Sequence, residues 1–247
     1  FSASSAISKE LHLEYDGEAY LRKHSLYHEF ENVATKEELE YFVFAVLRNP
    51  MEIAVTVYEK MKANLKGNFT NPELFSENGG HISKLQRQKF NFIKNNNSSF
   101  QQYFKKFHQK PYDNLTGLVI DDCDFVIKYE TIAEDYLLAL KKVGVSNPRP
   151  LPVANKTAGK NNDLLAYYTN DIKEISIAVF GPFLKKYNYT FPEEWGVVKI
   201  PLKSKLEFLM FGVLRKINQK YFKNHTEKIV LEGNIYGDIQ RDKLKKS

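Results

Sequence analysis

Residues 42–58 constrain the fold of this chain more than any other stretch, and they read FVFAVLRNPMEIAVTVY. Their first six residues form an unbroken apolar run, which is typical of a fully buried strand. Arg48 and Asn49 then lead to Pro50, a residue that favours the first position of a helix. Open α/β sheets bind ligands, often anions, outside the carboxyl ends of their strands. Arg48 is therefore a candidate anion ligand, although an arginine at a strand end can equally be a solvated surface charge.

A second strand and helix follow later in the chain and set the expected fold class. Residues 124–129 read DFVIKY, and residues 131–142 repeat apolar side chains at four-residue steps before Gly144. A strand followed by a helix, twice, predicts an α/β fold with a parallel sheet covered by helices. Apolar spacing and capping signals predict further helices at residues 35–41, 50–61, 82–93, 100–108, 169–187 and 202–220. No internal repeat or flexible linker divides the chain, so we expect one domain.

The composition excludes several classes of protein. The chain has 247 residues, of which 43% are hydrophobic, and is long enough to bury a sizeable core. Its single cysteine, Cys123, excludes an internal disulfide and fits a reducing compartment, and no apolar run reaches the length of a membrane span. We therefore expect a cytoplasmic protein without a membrane partner. The net charge of +6 suits nucleic acid, an anionic surface or an anionic cofactor, but the dispersed lysines favour a solvated basic surface over nucleic-acid binding.

The amino-terminal residues contain a second candidate for anion binding. Small residues at positions 2–6, SASSA, precede Ile7 and Leu11, whose spacing indicates a loop that leads into a helix. The first N–H groups of that helix and the hydroxyls of Ser4 and Ser5 could together hold a phosphate. Serines at the start of a helix are more often simple N-caps, so this pattern alone does not decide between the two roles.

Two other stretches contain polar or aromatic candidates. His24 and His28 are four residues apart, but without carboxylate or cysteine partners nearby they make a poor metal motif. The polar insertion at residues 67–100 is a candidate lid or acceptor-binding region, although it can equally be an insertion without a functional role. Its aromatic residues either line a pocket for a small molecule or sugar or belong to the core, and they are Phe69, Phe75, Phe90 and Phe92.

Four segments follow one another along the chain: RKHSLYHEF, RNPMEIAVTVY, DFVIKYETIAEDYLLALKKVGV and LPVANKTAGKNNDLLAYYTNDIKEI. In this order they resemble the sulfotransferases that use 3′-phosphoadenosine 5′-phosphosulfate (PAPS). The branch is the one with carbohydrate sulfotransferases and many bacterial enzymes. RKHSLYHEF is similar to the family's KHxTxxE/I segment, and RNPMEIAVTVY is similar to its RNPxxRxxSxY segment. DFVIKYETIAEDYLLALKKVGV resembles the family's DFxxxxExLxxDFxxLxxxLG, and LPVANKTAGKNNDLLAYYTNDIKEI resembles its LPxxNxSxxxxxxxYYTxELxxL.

The resemblance covers roughly residues 1–190 and implies a more detailed fold than the α/β class alone. The implied fold is a P-loop-like three-layer α/β structure with a central, mostly parallel sheet flanked by helices. A helical insertion and a helical carboxyl-terminal extension over residues 191–247 would complete the single domain.

The resemblance also implies a role for each candidate residue. Arg48 and Thr56 would hold the 3′-phosphate, SASSAI at residues 2–7 would hold the 5′-phosphosulfate, and Lys156 or Lys160 would close over the nucleotide. His24 would be the general base, because the pKa of histidine lies near neutral pH. No metal is required. The implied cofactor-binding residues are Ser2, Ala3, Ser4, Ser5, Ala6, Ile7, Arg48, Thr56, Lys156 and Lys160.

Two positions depart from the family pattern. Ile53 stands where the family has a second arginine, and Phe1 stands where it has the catalytic lysine. We expect that lysine and the first strand to lie upstream of Phe1, the alternative being that the lysine is absent. The implied activity is transfer of a sulfuryl group from PAPS to a hydroxyl or amine of a small molecule or carbohydrate. The alternative function is a catalytically impaired PAP- or nucleotide-binding module of the same fold.

Overall fold

A computed structural model describes residues 3–18, 21, 25–152, 160–161 and 163–222 of the chain. The protein is a mixed α/β structure, as predicted, with most of its described residues in helices. In chain order the elements are α1 (Ser4–Glu14), α2 (Tyr27–Glu31), β1 (Phe44–Leu47), α3 (Pro50–Lys62), α4 (Lys84–Asn95), α5 (Phe100–Phe107), β2 (Phe125–Lys128), α6 (Ile132–Lys142), α7 (Lys173–Lys186) and α8 (Leu202–Ile217).

The chain divides into two compact units, each assembled from separate segments. Unit 1 contains Phe1–Arg48, Asn114–Asn155 and Arg215–Ser247. Unit 2 contains Asn49–Asp113 and Lys156–Leu214. Both strands therefore belong to unit 1, whereas α3, α4, α5 and α7 belong to unit 2.

In unit 1, the two predicted strands β1 and β2 pair in parallel, as predicted. Phe44 lies opposite Phe125, and the register continues to Leu47 opposite Lys128. Asp124 fixes the start of this pairing. Its Oδ2 accepts the N–H of Val43 at 2.7 Å, and its own N–H donates to the Val43 carbonyl at 2.8 Å.

Helices α1 and α6 supply the apolar side chains that cover this sheet. Ile7 of α1 and Tyr136 and Leu140 of α6 pack with Ile127 of β2 in one buried cluster. Ile127 and Tyr136 are completely buried. The four-residue spacing of apolar positions in α6 therefore identifies the face that packs against the strands.

Unit 2 has a helical and strongly aromatic core. Phe100 contacts Tyr168 edge to face, with ring centroids 5.0 Å apart, and Phe104 lies 5.5 Å from Phe180. Two aromatic residues of the polar insertion join this core, since Phe90 is 6% exposed and stacks on Phe69 at 5.4 Å. For that pair, the core interpretation is the correct one.

The other two aromatic residues of the insertion also contact neighbouring side chains. Phe92 meets Phe107 edge to face at 5.5 Å. The guanidinium of Arg87 lies 4.2 Å from the ring centroid of Phe75.

Polar residues that can cap a helix stand at the starts of three predicted helices, but only two of them cap through their side chains. The Asn49 side chain accepts the N–H of Met51 at 2.9 Å, which places Pro50 at the first position of α3. Thr35 and Glu38 form the predicted reciprocal capping box, with bonds of 2.7 and 3.2 Å, although the turn that follows is a short 3₁₀ helix. Thr169 occupies the N-cap position of the 3₁₀ helix Asn170–Ile172, which leads directly into α7, as predicted in position. Its side chain does not cap the helix, since the hydroxyl donates to Asp171 and accepts no backbone N–H there.

The carboxyl-terminal region begins with α8, which ends earlier than the predicted residue 220. A π-helical turn, Asn218–Phe222, follows it directly. Among the helices that the structure describes, none is both long and apolar enough to cross a membrane.

His108 follows the last residue of α5 and lies half-buried against the aromatic core of unit 2. Its imidazole stacks on Phe104 with centroids 4.7 Å apart, and its Nε2 is buried with no hydrogen-bond partner among the described residues. Burial, and then the positive charge of Lys89, lower the pKa of His108 from 6.5 to about 3. The protonated imidazole is therefore disfavoured in the folded protein.

We expect His108 to make the protein less stable as the pH falls from about 6.5 to about 3. In that range the unfolded histidine binds a proton that the folded one excludes, so the free energy of unfolding decreases with falling pH. His108→Phe keeps an aromatic ring and removes the titrating group. Urea unfolding across this pH range should therefore show a flatter pH dependence for His108→Phe than for the wild type. Two results would contradict the role of His108. The free energy of unfolding of His108→Phe could depend on pH as steeply as that of the wild type, or His81→Phe, a substitution at an exposed position, could flatten the pH dependence equally.

Candidate anion-binding site

The carboxyl ends of β1 and β2 lie side by side at one edge of the parallel sheet. Leu47 and Lys128, the last residues of the two strands, are directly paired. Arg48 and Tyr129 follow them in sequence, so both leave the sheet at the same edge. This is the edge at which open α/β sheets bind their ligands.

Arg48 is a fixed and buried cation at this edge. It is 8% exposed, and its Cζ lies 4.2 Å from the centroid of the Tyr129 ring. An aromatic face attracts a guanidinium and restrains its plane, while the N–H groups point outward in that plane. The interpretation of Arg48 as a solvated surface charge is therefore wrong.

Asp135, in the first turn of α6, holds the end of β2 in place. Its Oδ2 accepts the backbone N–H of Lys128 at 2.9 Å and the hydroxyl of Thr131 at 2.8 Å. These two bonds span the short 3₁₀ helix Tyr129–Thr131. The carboxylate therefore restrains the backbone that presents Tyr129 to Arg48.

The start of α1 provides further polar groups in unit 1. Ala3, in the left-handed region with φ of 58°, occupies the N-cap position, and its carbonyl accepts the N–H groups of Ala6 at 2.9 Å and Ile7 at 3.1 Å. Ser4 and Ser5 are exposed and precede these first helical bonds. The N-capping role for the serines is therefore not observed. Ile7 is 5% exposed and belongs to the core.

Two of the predicted cofactor ligands belong to unit 2. Thr56 lies on α3 and is 2% exposed. Lys160 forms an ion pair with Glu52 of the same helix, and the two side chains are 12% and 20% exposed. The ammonium group of Lys160 is therefore held by a carboxylate that the sequence patterns did not indicate.

The residue after Lys160 is also attached to α3. The N–H of Asn161 donates to the Tyr167 hydroxyl at 3.0 Å, and that hydroxyl donates to Glu59 at 3.0 Å. Burial, the largest influence, raises the pKa of Tyr167, as does the neighbouring Glu59 carboxylate. The hydroxyl therefore stays protonated and keeps its donor role at neutral pH.

The remaining predicted site residues cannot be placed. Ser2, His24 and Lys156 lie outside the described residues, so their roles stay predictions. The sharing of one phosphate by Arg48 and Thr56 also stays a prediction. Within the described part of the chain, no three His, Cys, Asp or Glu side chains form a cluster that could hold a metal ion.

The sequence patterns missed three residues that shape these surroundings: Tyr129, Asp135 and Glu52. Tyr129 stands at the end of the second predicted strand, as Arg48 stands at the end of the first. This shared strand-end position is the sequence signal that could have identified Tyr129 as a neighbour of Arg48. Asp135 falls in the first turn of a predicted helix, where acidic residues are favoured. The sequence contains no local signal for Glu52, because its partner is 108 residues away.

Comparisons with known proteins do not assign the chain to a family. No protein-family model, curated protein or solved structure matches it. A functional assignment therefore depends on the strand-end geometry and on the sequence motifs.

Proposed function

We propose that this chain is a PAPS-dependent sulfotransferase that holds the 3′-phosphate of its nucleotide at Arg48. The observation that carries the proposal is the buried guanidinium of Arg48, which lies against Tyr129 where the two parallel strands end. A guanidinium with a restrained plane suits a phosphate, because two parallel N–H groups can donate to two phosphate oxygens. The P-loop-like three-layer architecture is part of the same proposal.

The start of α1 is proposed to hold the 5′-phosphosulfate. Ser4 and Ser5 are exposed there, and the positive end of the helix dipole favours an anion. Ser2 and Ala3 would contribute from the preceding loop. Thr56 and one of Lys156 and Lys160 would complete the contacts to the nucleotide.

The proposed reaction needs positioning and charge stabilisation more than covalent chemistry on the protein. An acceptor oxygen or nitrogen attacks the sulfur in line, a new bond to sulfur forms, and the bond from sulfur to the 5′-phosphate oxygen breaks. The negative charge develops on that phosphate, where helix N–H groups would stabilise it. His24 would accept the proton that the acceptor loses.

A nucleotide-binding module without transfer activity is the second candidate. Phe1 stands at the position of the catalytic lysine in the resembled family. Lys160, one of the two lysines proposed to close over the nucleotide, is already paired with Glu52. This function predicts binding of PAP, the 3′,5′-bisphosphate product, with no transfer to any acceptor.

PAP should raise the melting temperature of the protein, and ATP should raise it much less. A ligand at 100 times its Kd stabilises the folded state by about 2.7 kcal/mol. Arg48→Ala should abolish the PAP shift, whereas Tyr129→Phe, which keeps the ring beneath the guanidinium, should retain it. The measurement is thermal unfolding with each nucleotide. A full PAP shift in folded Arg48→Ala would contradict the assignment.

Labelled PAPS should transfer its sulfuryl group to at least one acceptor in a panel of small alcohols, amines and glycans. His24→Ala should keep the PAP-induced stabilisation and lose turnover by about 100- to 10,000-fold, the usual contribution of a general base. His28→Ala, the matched histidine on α2, should keep its turnover. Retained turnover in folded His24→Ala would exclude it as the base. PAP binding by the wild type without transfer to any acceptor would favour the non-catalytic function.

A further inference from the structure

Helix α8 presents a continuous apolar surface, which we call the α8 apolar face. Its residues are between 50% and 69% exposed. At about 100° per residue they fall within an arc of about 140° around the helix. They are Leu202, Leu206, Leu209, Met210, Val213 and Leu214.

The opposite side of α8 packs against other residues of unit 2, to which the helix belongs up to Leu214. Ser204 is 6% exposed, and the Lys110 ammonium lies 5.3 Å from the ring centroid of Phe211. Ile200, just before the helix, packs closely on Gly181 of α7. A Cβ atom at position 181 would lie only 2.8 Å from the Cγ1 of Ile200. These contacts fix the rotation of α8, so its apolar face points outward as a property of the fold.

Basic residues accompany this face. Residues 197–214 contain Lys199, Lys203 and Lys205 but only one acidic residue, Glu207. The Lys203 side chain is 85% exposed, and its ammonium lies 3.7 Å from the Glu207 carboxylate. By helical geometry, Lys203 lies about 20° inside one edge of the apolar arc, with Glu207 about 20° beyond that edge, and Lys205 lies about 40° outside the other edge. An apolar stripe flanked by lysines is typical of helices that lie in the interface of a membrane.

We propose that the α8 apolar face docks on the surface of an anionic lipid bilayer. Charge complementarity selects this occupant. A second copy would bring the same lysines together across the contact. The carboxyl-terminal residues 223–247 carry six Lys and Arg against four Asp and Glu, so their net charge has the same sign as that of α8. An anionic bilayer offers both an apolar layer and opposite charge.

This docking differs from crossing the bilayer. It revises the expectation of no membrane partner, which rested on the lack of a spanning segment, and it does not depend on the proposed enzymatic function. The helix would lie parallel to the membrane surface, with its six apolar side chains among the outer parts of the lipid chains and its lysines at the headgroups. The contact would therefore need both the apolar side chains and the negative headgroups.

Vesicle flotation with the full chain tests the proposal. We expect binding to phosphatidylcholine vesicles that contain phosphatidylserine, weaker binding to phosphatidylcholine alone, and a loss of affinity as the salt concentration rises. Leu206→Ser/Leu209→Ser should weaken binding by about tenfold or more, because two large apolar side chains no longer leave water. The matched control is Leu85→Ser/Leu138→Ser, two leucines on α4 and α6 that are 53% and 45% exposed, and it should bind like the wild type.

Three results would overturn the proposal. The first is no binding of the wild type to anionic vesicles at low salt, whatever else covers α8. The second is equal loss of binding in the α8 variant and the control, with circular dichroism showing that both are folded. The third is a dimer in analytical ultracentrifugation that the α8 substitutions dissociate, since a second copy would then occupy the face.

Discussion

The paired ends of two parallel strands are the constraint on which the candidate site depends. At one end Asp124 joins β1 to β2 through Val43, and at the other end Asp135 holds Lys128 against the start of α6. A carboxylate that accepts backbone N–H groups forms stronger hydrogen bonds than a neutral acceptor does. With both ends fixed, the residues that leave the sheet have little freedom, and the Arg48 guanidinium comes to lie on the Tyr129 ring.

The two units have different cores. Unit 1 buries a small aliphatic and aromatic cluster among its strands, α1 and α6. Unit 2 has a much larger aromatic core, in which edge-to-face and stacked rings fill the space between helices. That core also explains why aromatic residues of the polar insertion were ambiguous in the sequence, because a core and a ligand pocket favour the same side chains.

Local patterns predicted the parts of this structure that depend on neighbouring residues. The two strands, the start of α3 at Pro50 and the Thr35–Glu38 capping box follow from apolar runs and capping chemistry. The contacts of Arg48 and Lys160 could not be predicted, since Tyr129 and Glu52 are distant in sequence. Thr169 shows a limit at short range: its N-cap position follows from the sequence, but the hydrogen bond from its hydroxyl to Asp171 does not.

The central claim, that Arg48 holds a nucleotide 3′-phosphate, is tested most directly by isothermal titration calorimetry. PAP and adenosine 5′-phosphate differ only in that phosphate, so their affinities for the wild type and Arg48→Ala form a thermodynamic cycle. We expect the wild type to bind PAP at least about tenfold more tightly than adenosine 5′-phosphate, and Arg48→Ala to lose this preference. Equal affinities in the wild type, or a preference for PAP that persists in folded Arg48→Ala, would contradict the claim.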